Sequence, residues 1–333
     1  MPHLHRREFL GGLAAGGASG LLNAAENGAF IDIHHHLFPQ SYVDAITGLG
    51  QPAPPAWNPG SSIDEMDASG IAMAVMSLAP PNVNFPDPEL ARRLAREVNE
   101  YGTKLKEAFT DRFGLFAVLP LPDVDASLKE IEYAFGTLRA EGIGLMTSYG
   151  DRWLGDVDFQ PVWEELNRRK AVVYTHPHSP DCCANLNTGV PATDIEWATD
   201  TTRTIASLLF TGTAAHFPEI RWIFSHGGGT MPYLLSRFQY EEQTHKEREK
   251  VLPKGLMHEL NRFYYDTAQA NHPGALAALS KVAPPSQLLF GTDFPYRKGA
   301  EVLGGLAAQK FPAKDLRAIQ RDNALRLLPG LKG

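Results

Sequence analysis

The chain has 333 residues, of which 43% are hydrophobic and 21% charged, so it can bury one large α/β core or two smaller ones. Its net charge is −7, from 31 basic and 38 acidic side chains, and no basic stripe stands out, so nucleic acid is not an expected partner. The only two cysteines, Cys182 and Cys183, are neighbours. Adjacent Cα atoms lie closer than an unstrained disulfide prefers, which predicts free thiols.

The N-terminal segment, residues 1–27, is typical of an export signal. Arg6 and Arg7 precede a small, mildly apolar run from Gly11 to Leu22, as in a twin-arginine leader. His5 departs from the usual Ser or Thr, and no clean Ala-x-Ala cleavage site follows. We predict export to the periplasm; the alternative is a Gly/Ala-rich leader on a cytoplasmic protein. No later segment has the roughly 18 apolar residues that span a bilayer.

After the leader, short apolar runs alternate with longer amphipathic segments. The runs are rich in Val, Ile, Phe and Tyr and lack polar alternation, as expected of parallel strands buried on both faces. Eight strands are predicted: Phe30–His34, Ile71–Leu78, Phe113–Leu119, Gly142–Ser148, Ala171–His176, Ile220–His226, Phe263–Thr267 and Gln287–Asp293. Helices are predicted over Asp87–Phe109, Val124–Arg139, Phe159–Arg169, Thr201–His216 and Met231–Lys250, with Asp158 and Asp200 as candidate caps.

About eight βα units in one domain, residues 28–333, predict an α/β fold of the (β/α)8 TIM-barrel type. The alternative is an open doubly wound sheet, but no Gly-x-Gly-x-x-Gly follows the first strand. The connections 39–62 and 177–200 are rich in Pro, Asn, Ser and Gly. In a barrel both would lie over the mouth where catalysis takes place.

Side chains able to bind a metal stand at the ends of the first, fifth, sixth and eighth predicted strands. His34 and His36 lie two residues apart on the first strand, so they point the same way while His35 points elsewhere. The other three members are His176, His226 and Asp293. Because the C-terminal ends of barrel strands converge on one face, we predict one cluster there, a metal site.

A ligand set of three imidazoles and one carboxylate taken from this cluster would suit zinc, or manganese if further oxygen ligands join. Single members have simpler explanations, since His176 alone could be a core histidine and the glycines after His226 a mere tight turn. An inward His34 implies that Ile33 and His35 face outward. Asp32 could orient a histidine from behind. His178, two residues after His176, could face a substrate or only solvent.

Several stretches match a known family: IDIHHHLFP, IDEMDASGIAMAVMSL, VVYTHPHSP, FSHGGGTMPYLLSRF, FYYDTA and LLFGTDFPY. They resemble the amidohydrolase superfamily, and within it the branch of aminocarboxymuconate-semialdehyde, γ-resorcylate and 6-methylsalicylate decarboxylases. The resemblance implies a metal held by His34, His36, His176 and Asp293, with His226 as a non-ligand acid/base.

The resemblance also implies a homodimer or larger oligomer. Arg237 matches an arginine that in some relatives reaches a neighbouring subunit's site, where a substrate carboxylate would be its partner. An exposed helix arginine is the alternative. The fourth strand, Gly142–Ser148, lacks the lysine that binuclear members carbamylate, so we expect one metal. Ser62 stands where semialdehyde decarboxylases carry arginine, which favours a hydroxybenzoate over their substrate with two carboxylates.

On the strength of this resemblance, we hypothesise non-oxidative decarboxylation of an aromatic acid with an ortho hydroxyl. Asp293 is the expected donor of a proton to the ring carbon, and His226 its relay. Phe38, Trp57 and Phe294 are candidate apolar walls around the substrate. The same site could instead hydrolyse a lactone or amide. A metal- or ligand-binding periplasmic protein is a third reading, disfavoured because a structural metal has no need of His226.

Overall fold

The computed structural model describes residues 30–331 of the chain, apart from residues 184 and 187. The predicted leader, residues 1–27, and the start of the domain lie outside the described residues. Among residues 30–331, every helix is too short or too polar to span a bilayer. Cys182 and Cys183 are free thiols, as predicted.

Eight parallel strands form one sheet in which each strand pairs with the next along the chain. Their bounds, β1 to β8, are Phe30–His36, Ile71–Ser77, Phe113–Val118, Gly142–Met146, Val172–His176, Arg221–Phe224, Tyr264–Asp266 and Leu288–Leu289. The segment after β8 returns to β1, where Ile33 N donates to Phe290 O at 3.0 Å and Asp293 N to His34 O at 2.8 Å. These bonds close the sheet, so the TIM barrel is confirmed and the open sheet is wrong.

Helices follow the strands and pack around the outside of the barrel. The helices α1 to α14 are Gln40–Gly48, Pro59–Ser69, Pro88–Ala108, Val124–Gly136, Gln160–Arg168, Ala192–Phe210, Thr213–His216, Leu235–Thr244, Arg248–Val251, Leu256–Arg262, Pro273–Leu279, Gly299–Ala308, Ala313–Arg317 and Asn323–Leu327. Local signals set their ends. The Asp87 side chain accepts from two backbone N–H groups at the start of α3, and Gly70, in the left-handed region, ends α2.

The predicted boundaries were wrong in the long connections. Residues 40–48 form α1 within the connection expected over 39–62, and α6 begins at Ala192 rather than Thr201. Asp200 therefore lies inside α6 and caps nothing. Its buried carboxylate accepts hydrogen bonds from Thr147, Ser148 and Trp153, which ties α6 to the segment after β4.

Two further boundary predictions also failed. Asp158 does not cap α5, because the turn before that helix is capped by the Asp156 side chain, which accepts from the Asp158 N–H at 2.9 Å. The single helix expected over 231–250 is divided into a 3-10 turn, α8 and α9. In both cases a short 3-10 turn precedes the α-helix.

Apolar side chains form a layer between strands and helices and a second layer inside the barrel. The inner layer contains Ile31, Ile33, Met73, Val75, Phe116, Val172, Tyr174, Ile223 and Leu289, with α14 closing the lower end. The expectation that Ile33 faces outward was therefore wrong. The register between β1 and β2 shifts between Asp32 and His35, and this irregularity turns Ile33 and His34 to the same side.

Candidate metal centre

The C-terminal ends of β1, β5, β6 and β8 converge at one mouth of the barrel. His34 and His36 lie in β1 and His176 ends β5, while His226 and Asp293 follow β6 and β8. Ligand atoms of His34, His176, His226 and Asp293 all lie within 4.8 Å of one another. His36 joins them, since its Nε2 is 3.2 Å from that of His34. The five predicted side chains therefore form one cluster.

The separations inside the cluster fit one metal ion. Asp293 Oδ1 lies 3.0 Å from His36 Nε2 and 3.2 Å from His34 Nε2. Ligands about 2.0–2.1 Å from a tetrahedral metal lie about 3.3 Å apart, which is close to these values. His176 Nε2 is buried beside them without a hydrogen-bond partner among the described residues. A buried imidazole nitrogen with no partner is expected where a metal binds.

The outer ring nitrogens are fixed by acceptors behind the cluster. Each Nδ1 faces an oxygen: Asp266 Oδ2 for His34 at 2.8 Å, Ser77 O for His36 at 3.2 Å and Pro177 O for His176 at 2.8 Å. A proton on Nδ1 leaves the Nε2 lone pair directed at the centre, which is the tautomer a metal requires.

Burial and Asp293 together set the charges of the metal-free cluster. Burial lowers the pKa of His34, but the charges of Asp266 and Asp293 outweigh it and raise that pKa to about 10. Burial lowers the pKa of His36 and lowers that of His176 further, so both imidazoles are neutral. For Asp293, burial opposes ionisation, but the charge of His34, the nearby imidazole of His226 and the close contacts with His34 and His36 hold its pKa well below the ordinary value.

His226 is held beside the cluster by the turn that follows β6. Its backbone lies in the left-handed region, with a φ of 52°, and its N–H donates to Asp266 Oδ1 at 2.9 Å. The ring Nε2 lies 3.5 Å from Asp293 Oδ2. That nitrogen is buried and makes no hydrogen bond to the described residues. It is therefore free to exchange a proton with a molecule bound at the cluster.

The glycines after His226 let the backbone of α6 pack closely against this turn. Gly227, Gly228 and Gly229 all have positive φ. A Cβ on Gly229 would lie 2.0 Å from the carbonyl oxygen of Ala198. Only glycine fits there.

The family model for amidohydrolases matches residues 31–330. The chain belongs to the amidohydrolase family. Its relatives include a 6-methylsalicylic acid decarboxylase of Penicillium expansum, 35% identical, with 92% of this chain and 98% of the relative covered. Decarboxylase yanB of Aspergillus niger is 36% identical, with 90% of this chain and 87% of the relative covered. The chain falls within the decarboxylase branch that its motifs resemble.

Solved structures share this amidohydrolase barrel. A crystal structure described as an amidohydrolase II has a TM-score of 0.84 and 29% identity, and covers 90% of this chain and 99% of its own. A dihydroxybenzoic acid decarboxylase from Polaromonas, with bound manganese and 2-nitroresorcinol, has a TM-score of 0.81 over 92% of this chain and 98% of its own. At 19% identity, the second likeness supports the fold alone.

His35, between His34 and His36 on β1, faces away from the cluster, as predicted. Its Nε2 lies 2.8 Å from Ser62 Oγ, which also accepts from Trp57 Nε1 at 2.8 Å. Its Nδ1 lies 3.1 Å from Asp32 Oδ2. Phe294, predicted as a substrate contact, is buried and stacks on His35 with ring centroids 4.9 Å apart. Ser62 thus joins the loop over the mouth to β1.

The Asp32 carboxylate binds backbone beside the cluster rather than one of the cluster imidazoles. Its Oδ1 accepts from the N–H groups of His34 and Thr292, each at 3.0 Å. The carboxylate that contacts a cluster imidazole from behind is Asp266. This role of Asp266 was not predicted from the sequence, although Asp266 ends β7 inside the FYYDTA stretch, as His176 ends β5.

The remaining predicted contacts lie at the margin of the site. His178 is half-buried, and its Nε2 lies 2.9 Å from both Oγ and the carbonyl oxygen of Ser148. Arg237 is exposed on α8, without a hydrogen bond or ion pair to the described residues. Neither side chain is joined to the cluster by a hydrogen bond within residues 30–331.

Two aromatic side chains at the mouth were also missed. Tyr296 meets the ring of His36 edge-on at 5.7 Å, and Trp197 meets that of His176 at 5.5 Å. Phe38 lies 6.3 Å from Tyr296 and 6.5 Å from Trp57. The predicted walls Phe38 and Trp57 therefore belong to a larger aromatic lining.

Proposed function

We propose that this protein is a metal-dependent decarboxylase of a small aromatic acid with a hydroxyl ortho to the carboxylate. The observation that carries the proposal is the convergence of three imidazole nitrogens and one carboxylate oxygen, with the free Nε2 of His226 beside them. Relatives about one-third identical over nearly the whole chain are decarboxylases, one of them acting on 6-methylsalicylic acid.

One divalent metal would be held by His34, His36, His176 and Asp293. When bound, such an ion neutralises negative charge on substrate oxygens and fixes their geometry. We assign His36 rather than His226 to the ligand set because His36 Nε2 faces the same Asp293 oxygen as His34, whereas His226 faces the other oxygen. Three imidazoles and one carboxylate favour zinc, with manganese as the alternative.

His226 and Asp293 would transfer the proton that replaces the carboxyl group on the ring. Both oxygens of Asp293 are already engaged, Oδ1 with His34 and His36 and Oδ2 with the amide of Gln269. The Nε2 of His226 is free and can face the substrate. This arrangement favours His226 as the immediate donor, with Asp293 as ligand and partner, over the reverse order expected from the sequence.

An aromatic substrate suits the lining of the mouth. Tyr296 and Trp197 each contact a ligand histidine edge-on, and Phe38 and Trp57 extend the same surface. Aromatic faces hold a planar ring by offset or edge-to-face contact, which adds about 0.5–1.5 kcal/mol per pair to apolar burial. A hydroxybenzoate has an aromatic ring to contact this lining and oxygen atoms to bind the metal.

Arg237 would bind the substrate carboxylate across a subunit interface in a homodimer or larger oligomer. Its exposure on α8, without a partner in the described residues, is what such a role requires. Mass measurement by light scattering tests the oligomer.

The protein would be exported by the twin-arginine route, on the strength of Arg6, Arg7 and the apolar run that follows. Replacing both arginines by lysine should retain the protein in the cytoplasm on cell fractionation. An unchanged distribution would contradict export by this route.

The reaction is tested by incubating metal-loaded protein with a panel of ortho-hydroxybenzoates that includes 6-methylsalicylate. Carbon dioxide release is expected. The matched control is His226→Asn, which should lose turnover and keep its metal. No release, together with turnover of aryl lactones or amides, would instead establish a hydrolase. Loss of metal in His226→Asn would move His226 into the ligand set.

A further inference from the structure

The outer oxygen of Asp293 has two candidate partners. Gln269 donates its side-chain amide to Asp293 Oδ2. His226 Nε2 faces the same oxygen from 3.5 Å, which is beyond ordinary hydrogen-bond distance, and has no other partner among the described residues. Gln269 therefore occupies the position that His226 would otherwise fill.

Gln269 is presented to the site by a strained turn after β7. Its φ is 50°, and Ala270 N donates to Thr267 O at 3.1 Å across the turn. His226 and Asp293, with φ of 52° and 69°, lie in the same sparsely populated region. Positive φ costs a non-glycine residue energy, so it persists where the surroundings enforce it. The three residues that meet at Asp293 Oδ2 are all held in this way.

One carboxylate oxygen ties the turns of Gln269 and His226 together. Asp266 Oδ1 accepts from His226 N at 2.9 Å and from Ala268 N at 3.0 Å. The two turns also touch, because a Cβ on Gly227 would lie 2.8 Å from Ala270 Cβ. The relative placement of the amide and the imidazole is thus built into the fold.

We infer that Gln269 is a positioning residue that keeps His226 free for proton transfer by occupying Asp293 Oδ2. This inference rests on the proposed function. Without the amide, Asp293 Oδ2 would lack a donor, and a small ring movement would let His226 bond to it. The imidazole would then have to break a hydrogen bond to a carboxylate before each transfer, which slows the chemical step but leaves substrate binding alone.

The test compares Gln269→Leu, which keeps a side chain of similar bulk but has no donor, with Gln309→Leu. Gln309 follows α12, and its Nε2 is already without a partner among the described residues, so the same change there should be neutral. For Gln269→Leu we expect a fall in kcat of about tenfold, KM within twofold of wild type and unchanged metal content. If the leucine variant fails to fold, Gln269→Asn takes its place, since asparagine tolerates positive φ and its side chain is too short to reach Oδ2. The same changes in kcat, KM and metal content are expected for it.

A crystal structure of the Gln269 variant gives a readout independent of turnover. The distance from His226 Nε2 to Asp293 Oδ2 should shorten from 3.5 Å to hydrogen-bond length. An unchanged kcat, an unchanged distance or a loss of metal would overturn the inference. If wild-type protein releases no carbon dioxide, the proposed function fails, yet the change in this distance still decides whether Gln269 keeps His226 apart from Asp293.

Discussion

Replacing Asp266 by Asn should weaken metal binding by reversing the tautomer of His34. Asp266 Oδ1 accepts from two backbone N–H groups, so the amide oxygen of Asn must take that position. The amide NH2 then faces His34 Nδ1, 2.8 Å away in the wild type, and two donors oppose each other. His34 can relieve this only by moving its proton to Nε2, which removes the lone pair directed at the metal.

The expected loss of metal affinity is 10- to 100-fold, or about 1.4 to 2.8 kcal/mol, as for other carboxylates behind a ligand histidine. Competition with a fluorescent chelator measures it. The control is Asp125→Asn, an equal change in charge at an exposed position in the first turn of α4. Metal affinity of Asp266→Asn within twofold of wild type would refute the argument that this carboxylate sets the tautomer.

Three further outcomes are expected. His34 has a pKa of about 10 in the metal-free protein, so it is protonated at pH 7. Metal uptake should therefore release about one proton, and metal affinity should rise with pH up to that pKa. Calorimetry in buffers of different ionisation heat measures the proton release. Arg237→Ala should raise KM at least tenfold with an unchanged oligomer by light scattering, whereas the exposed control Lys246→Ala should not; an unchanged KM would remove Arg237 from the site. Gly229→Ala should lower the free energy of unfolding in urea by about 3 kcal/mol or more, because its Cβ would meet the Ala198 carbonyl. In the control Gly304→Ala, on α12, the added Cβ meets nothing within 4 Å, so that variant should be as stable as wild type or more stable. Equal stabilities of the two variants would contradict the close packing of the glycine turn.

The sequence predicts the barrel and its cluster well because both depend on short-range patterns. Apolar runs without alternation mark the buried parallel strands; His176 ends β5, and Asp293 follows β8 in the segment that returns to β1. The convergence of those ends is a property of the fold, so one correct prediction leads to the other. Neither step needs the identity of any residue on the helices.

The contacts behind the cluster were harder to predict because they join distant parts of the chain. Asp266 is 232 positions from His34, and its bond to the His226 N–H depends on β7 lying beside β6, the strand that precedes His226. The register shift after Asp32 cannot be detected in the hydrophobic pattern of the sequence, so the prediction that Ile33 faces outward was wrong. Gln269 reaches the site because its backbone has a positive φ. A glutamine in the sequence does not indicate this conformation, as a glycine would.

The most direct test of the central claim is a single reaction in deuterated water. Metal-loaded protein is incubated with 6-methylsalicylate, and both carbon dioxide and deuterium on the product ring are measured by mass spectrometry. We predict one carbon dioxide and one deuteron per turnover, with the deuteron on the carbon that bore the carboxylate, and no reaction after the metal is removed. An unaltered acid in the presence of metal, across the ortho-hydroxybenzoate panel, would contradict a decarboxylase site built from these five residues.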